Sequence, residues 1–288
     1  MLRRRDLLAI AGAPLIGRAE ETAVIRVGCQ TRAYGSPLPD KQQFLAALDG
    51  LKNAGYAGFE TNYRSLEHSF DEPTAMLREI EQRGVEMIGL HVGVALFDPA
   101  KIREEHALLE HVAKGAHALG GRHIIVSGRK LPEAADGRAK PESVATKARE
   151  LNRAGERCRD IGVRLSFHNH THEVRHNAEE IRQVLDQTDP ELVSLLFDVG
   201  HVHYDEVDVP AFARELGPRI SGFHVRDVRG GEEVLIGTGK VDFEGLGRAL
   251  HETDWKGWVI VEVNESQQMP SREMVQRARK HLRTTMRI

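Results

Sequence analysis

The sequence predicts a (β/α)8 TIM barrel forming a single domain, and three observations predict it. After about residue 23, short apolar runs alternate with amphipathic helical stretches to the end of the chain. The length, 288 residues, is that of one such barrel. Four of the later apolar runs stop at His168, Asp198, His224 and Glu262, four metal-type ligands that a barrel would gather at one end.

Strand one falls at 24–30. A helix over 40–54 follows, with Phe44, Leu45, Leu48 and Leu51 at helical spacing. Strand two is 58–62, helix two 72–83 and strand three 87–92. A long helix over 101–119 puts Leu108, Leu109, Val112 and Ala116 on one face. Strand four, 123–127, leads into a polar loop rich in Gly, Pro and Lys. The second half keeps the rhythm: helix 141–161, strand 164–170, helix 178–187, strand 193–198, helix 209–216, strand 220–227, helix 243–252, strand 257–264 and a closing helix 271–286. A doubly wound sheet is the runner-up. It would carry a glycine-rich phosphate turn after an early strand, and Gly28-Cys29-Gln30 lacks the GxGxxG pattern.

Composition narrows the function. Hydrophobic residues make up 40% and charged residues 29%, an ordinary globular balance. The net charge of −3 and the absence of a long basic run beyond the N-terminus disfavour nucleic acid as a partner. Cys29 and Cys158 form no CxxC pair, so a thiolate zinc site is unsupported and buried free thiols are expected.

The first residues differ in kind. Met1-Leu2-Arg3-Arg4-Arg5-Asp6-Leu7-Leu8 precedes an apolar stretch over 9–16 and then Gly17-Arg18-Ala19. This order resembles a twin-arginine export signal over 1–22, with the barrel domain over 23–288 and the protein periplasmic or exported. A basic tail on a cytoplasmic protein is the alternative. The apolar run is too short to span a bilayer, so no stable membrane insertion is expected.

Side-chain alternation puts His168 and His170 on one strand face, His224 with Arg226 on another, and Glu262 with Asn264 on a third. A donor set of Asp, Glu and His without Cys suits one divalent ion: manganese first, with zinc, cobalt or magnesium as alternatives. Such an ion polarises a carbonyl, and a neighbouring carboxylate or imidazole moves the proton. Glu60, His91, His201, Asn264, Arg226 and Lys240 complete a candidate polyol site. Trp258 and the remaining histidines, including His106, His111, His117, His123 and His203, read as structural, and Glu173 and His172 as supporting or solvated.

These residues resemble the xylose isomerase-like TIM-barrel family, also called the sugar phosphate isomerase/epimerase family. The resemblance is carried by Phe167-His168-Asn169-His170, Phe197-Asp198-Val199-Gly200-His201, Phe223-His224-Val225-Arg226-Asp227, the run Leu235-Ile236-Gly237-Thr238-Gly239-Lys240-Val241-Asp242-Phe243 and Gly257-Trp258-Val259-Ile260-Val261-Glu262. It implies one divalent metal held by His168, Asp198, His224 and Glu262. It also implies a small carbohydrate substrate and proton transfer next to a carbonyl through an enediolate, with Glu262, His168, His170 and Arg226 as the catalytic group. Many members have Glu where this chain has His168, and ketose epimerases exchange a proton between two metal-bound glutamates. This chain keeps only the Glu262 side, so His168 stands as a candidate base. Isomerase or epimerase is the first expectation. A lyase or dehydratase acting on a keto-sugar, inosose or 3-keto-glycoside is the second, and a non-catalytic sugar-binding barrel the third. A metal-dependent endonuclease of the same fold is disfavoured by the net charge. A homo-oligomer is left open.

Overall fold

The computed structural model describes residues 24–202 and 207–288. The segment read as an export signal, 1–22, and His203 lie outside the described residues. Eight parallel strands close into a barrel: β1 (Ile25–Gln30), β2 (Gly58–Asn62), β3 (Glu86–Gly93), β4 (His123–Ser127), β5 (Arg164–His168), β6 (Val193–Asp198), β7 (Ile220–Val225) and β10 (Gly257–Val261). The order round the barrel is β1-β10-β7-β6-β5-β4-β3-β2, so each strand pairs with its successor and the last closes on the first. A two-stranded antiparallel hairpin, β8 (Asp227–Arg229) and β9 (Glu232–Val234), stands outside the barrel after β7.

Eight helices cover the barrel: α1 (Lys41–Ala54), α2 (Pro73–Arg83), α3 (Ile102–Ala118), α4 (Pro141–Ile161), α5 (Arg175–Asp186), α6 (Val209–Leu216), α7 (Phe243–Glu252) and α8 (Ser271–His281). Their ends follow local chemistry. Asp40, Asp208 and Asp242 each accept a backbone N–H from the first turn of α1, α6 and α7. Pro73 and Pro141 open α2 and α4, where a missing N–H costs nothing. Every described cysteine is free and buried, and no described helix is long and apolar enough to cross a membrane.

The interior of the barrel is layered. Ile88, Ile125, Leu196, Trp258 and Ile260 form a separate apolar cluster inside the strands. Glycines make room for these side chains: a Cβ on Gly28 would lie 2.4 Å from Ile88 Cδ1, and one on Gly58 2.7 Å from Trp258. At the N-terminal end, Ser166 Oγ meets Ser194 Oγ at 3.1 Å, Ser221 Oγ at 2.9 Å and His123 Nδ1 at 3.1 Å. The Arg26 guanidinium lies 4.1 Å over the Trp258 ring and closes that end. The strand-end ligands occupy the opposite, C-terminal mouth.

Four departures from the sequence reading bear on the mouth. β5 ends at His168, two residues early, because the chain turns out over 169–174. α5 begins with His176, Asn177 and Ala178 in the left-handed region (φ 52°, 59° and 57°), so only its remainder is a regular helix. The expected strand over 220–227 stops at Val225, and Asp227 instead starts the hairpin. Strand eight likewise stops at Val261, leaving Glu262 and Asn264 on the segment that follows it.

Candidate active site

His168, Asp198, His224 and Glu262 meet at the barrel mouth. One ligand atom from each lies within 4.8 Å of the others, and all four residues are buried. Four strands deliver them: His168 and Asp198 are the last residues of β5 and β6, His224 is next to last in β7, and Glu262 follows β10. His168 Nδ1 is buried without a hydrogen-bond partner, whereas Asp198 Oδ2, His224 Nδ1 and Glu262 Oε2 are buried and met by ion-pair contacts out of hydrogen-bond alignment. His224 Nδ1 stands 2.8 Å from Glu262 Oε2, yet not in hydrogen-bond alignment. Leaving a buried polar atom such as His168 Nδ1 unpartnered costs about 1–3 kcal/mol. A divalent cation coordinated at that point removes the cost, and this donor set fits one.

The surrounding residues orient the four. Glu60, fully buried at the end of β2, accepts from His224 Nε2 at 2.6 Å and from Gln30 Nε2 at 2.7 Å, and lies 3.0 Å from His91 Nδ1. These contacts engage both carboxylate oxygens, so Glu60 anchors His224 and His91 at the mouth. The Asp198 backbone N–H donates to Asn169 Oδ1 at 2.8 Å, and its Oδ1 accepts from the Gly200 N–H at 2.7 Å, leaving Oδ2 turned inward.

Arg226 lies across the open side. One Nη2 is 2.8 Å from Asp198 Oδ2 and 2.6 Å from Glu262 Oε2, and Nη1 is 3.5 Å from Glu233 Oε2. Glu233, on β9, accepts from Asn264 N at 2.7 Å and Asn264 Nδ2 at 2.8 Å, and Asn264 Oδ1 accepts from Arg32 Nε. Asn264 thus reaches the mouth as a rim contact. The His170 ring is 5.0 Å from His168 and 5.1 Å from His201, whose Nε2 lies 3.6 Å from Asp198 Oδ2. His91 packs edge-on to His168 at 5.1 Å.

Lys240 is the exception. It is exposed on the loop after β9 and, among the described residues, its side chain makes no hydrogen bond or ion pair. Its backbone N–H donates to Val228 O at 2.9 Å and ties the loop to the hairpin. That loop hangs on Asp227, which accepts N–H groups from Gly237 at 2.9 Å, Gly239 at 2.7 Å and Val241 at 3.1 Å.

Burial and charge set the protonation of the site. Burial opposes charge on His224, but the Glu60 and Glu262 carboxylates hold it up at about 10. Burial likewise opposes charge on Glu60, and His224 and His91 outweigh it, holding the carboxyl at about 2. Burial pushes His170 and His201 down to about 4 and His168 well below the usual imidazole range. His168 is therefore a neutral imidazole, the form that ligates a metal, whereas His224, held protonated between its two carboxylates, must give up its Nδ1 proton for a cation to bind there.

Three members of the mouth escaped the sequence reading. Gln30 ends β1, so the strand-end rule applied to strand one finds it. Glu233 follows Gly230-Gly231, a hairpin signal inside the span assigned to the β7–α7 connection. Arg32 carries no pattern of its own. Trp258 and His106 are structural as expected: Trp258 fills the inner apolar layer, and His106 Nε2 binds Glu150 Oε2 at 2.9 Å between α3 and α4.

A family model described as a xylose isomerase-like TIM barrel matches residues 48–285. An inosose dehydratase of Geobacillus kaustophilus is 28% identical over 223 residues, 67% of this chain and 72% of that protein. An inosose dehydratase of Lacticaseibacillus casei is 27% identical over 280 residues, 85% of this chain and 90% of that protein. Among solved structures, a D-allulose 3-epimerase from Methylomonas sp. superposes with a TM-score of 0.77 at 17% identity, covering 92% of this chain and 98% of that one. The 3-keto-D-glucoside 4-epimerase from E. coli gives 0.73 at 18% identity, covering 90% and 99%. At these identities the structural likenesses show the fold.

Proposed function

This chain belongs to the xylose isomerase-like TIM-barrel family, and from that membership and its dehydratase relatives we infer a sugar-modifying enzyme, a metal-dependent lyase that removes water from an inosose or a similar keto-sugar. The observation that carries the proposal is the convergence of four buried ligand-type side chains, two imidazoles and two carboxylates, at the barrel mouth. His168, Asp198, His224 and Glu262 would hold one divalent ion there. When bound, such an ion supplies Lewis acidity that polarises a substrate carbonyl and acidifies the neighbouring carbon.

The chain's own residues divide the proton work. Glu262 follows β10 and His170 follows β5, with β7 and β6 between them, so the two stand on opposite sides of the mouth. Glu262 takes the proton from the carbon next to the carbonyl. The electron pair of that C–H bond becomes a C=C bond, and the hydroxyl on the next carbon leaves. His170, neutral at rest, relays a proton to the leaving hydroxyl, giving up its ring N–H as its other nitrogen takes a proton from solvent, so one molecule of water departs and no co-reactant is needed. Arg226, a fork of donors beside Asp198 and Glu262, suits the substrate oxygens. The asymmetry of the mouth, a carboxylate facing imidazoles, supports elimination over a swap between two glutamates.

The test is incubation of the manganese-loaded protein with an inosose and with a 3-keto-glucoside in deuterated water, followed by mass spectrometry. The expected product has lost one water. A product of unchanged composition that carries deuterium would replace the lyase by an epimerase. Activity untouched by thorough chelation would remove the metal from the proposal.

A further inference from the structure

Lys147 lies in the first half of α4 and is 1% exposed. Its Nζ donates to Glu173 Oε1 at 2.7 Å and Glu180 Oε1 at 2.9 Å, and lies 4.4 Å over the Phe167 ring. Glu173 is fully buried in the turn between β5 and α5. Its other oxygen accepts the His170 backbone N–H at 2.6 Å and lies 3.3 Å from His172 Nε2. The turn closes back on itself, since the Glu173 N–H donates to His170 O at 3.1 Å. The chain leaving β4 is shaped around the pair: a Cβ on Gly128 would sit 3.1 Å from both Lys147 Nζ and Glu173 Oε1.

Burying an ammonium and two carboxylates is expensive, and well-packed apolar side chains would stabilise the same contact of α4 with α5 as well or better. The charges therefore ask for a reason beyond packing. Of the two carboxylates, Glu180 makes its side-chain hydrogen bond, among the described residues, to Lys147, whereas Glu173 also grips the residue whose ring faces the metal-type cluster.

We propose that Lys147 and Glu173 are positioning residues that fix His170 against the mouth, so that its ring is ordered before substrate arrives. The inference rests on the reading of the mouth as a lyase site, but the placement of His170 is measurable without any turnover. An ammonium bound to one carboxylate oxygen leaves the other aimed at a single backbone N–H, which sets where the His170 ring emerges.

The experiment compares Glu173→Gln, Lys147→Met and Glu180→Gln in the full chain. Its first readout is NMR of 15N-labelled protein. The His170 amide proton, in a short bond to a carboxylate, should resonate far downfield in wild type and in Glu180→Gln, and should move upfield and broaden in Glu173→Gln. The second readout is turnover of the inosose: kcat should fall by about 10–100-fold in Glu173→Gln with KM and bound manganese little changed. Should Lys147→Met fail to fold, Glu173→Gln and Glu173→Asp carry the test, with partial recovery of kcat expected for Asp. An unmoved His170 resonance in Glu173→Gln, or a loss of kcat as large in Glu180→Gln, overturns the proposal. If wild type turns over neither keto-sugar, the lyase reading falls, and the NMR arm still decides whether the pair places His170.

Discussion

His224 Nε2 and Glu60 Oε2 are 2.6 Å apart, and both residues are fully buried. The bond fixes which imidazole nitrogen faces Glu262, because Nε2 is committed to β2 and only Nδ1 remains. A carboxylate behind a ligating histidine both orients the ring and raises its basicity.

Removing that carboxylate should therefore weaken metal binding without touching a ligand. Glu60→Gln is expected to lower manganese affinity by about 10–100-fold, read by calorimetric titration of chelated protein. Asp198→Ala should abolish binding outright. Equal affinities for Glu60→Gln and wild type would show that Glu60 plays no such part.

Gly200 makes room for Arg226. A Cβ there would come within 1.9 Å of Arg226 Cγ, in the stem of the side chain and not at its flexible end. Gly200→Ala should push the guanidinium off Asp198 and Glu262 while leaving the Gly200 N–H to Asp198 bond in place. The expected result is a large rise in KM for the keto-sugar with metal content preserved, measured by steady-state kinetics beside metal analysis.

The Lys147–Glu173 pair gives stability a defined acid limit. Burial opposes the charge on Glu173, but Lys147 and His172 outweigh it and hold the carboxyl at about 2, against an ordinary 4.5. The folded value lies below the unfolded one, so the contribution is complete above pH 4.5 and is lost as pH falls towards 2. Lys147→Met should cost about 3–5 kcal/mol at neutral pH, because it strands a buried carboxylate. Its stability should also fall less steeply than that of wild type across the acid window. Urea titrations at several pH values check both.

The N-terminal segment is a proposal of its own. Exchange of the Arg4-Arg5 pair for lysines should hold a full-length protein in the cytoplasm if the segment is a twin-arginine signal. Immunoblots of periplasmic and cytoplasmic fractions measure it. Equal distribution of the two forms would favour a cytoplasmic enzyme.

Much of the barrel was legible because its signals are local. Gly58–Asn62, His123–Ser127, Pro141–Ile161 and Phe243–Glu252 coincide with the runs read from apolar periodicity, where caps, prolines and strand length agree. The four metal-type residues were legible for a related reason: a strand end is a position, and a ligand at a position can be read. The partners were not. Whether Glu60 faces a sugar or a histidine depends on β7, 164 residues away in sequence. Lys147 reads as one more polar residue on an amphipathic helix, and its burial appears only once α5 is packed beside it. The hairpin that carries Glu233 is three residues a side, too short for alternation to show.

The apolar layer of Ile88, Ile125, Leu196, Trp258 and Ile260 lies directly beneath the mouth, with the serine cluster and Arg26 behind it. It turns the barrel into a chamber with one door. With the far end filled, a substrate that enters at the C-terminal mouth must leave by it, so substrate and product exclude each other and departure can govern the pace of the cycle. The residues around the rim, Glu233, Asn264 and Arg32, stand at the threshold for arrival and departure alike.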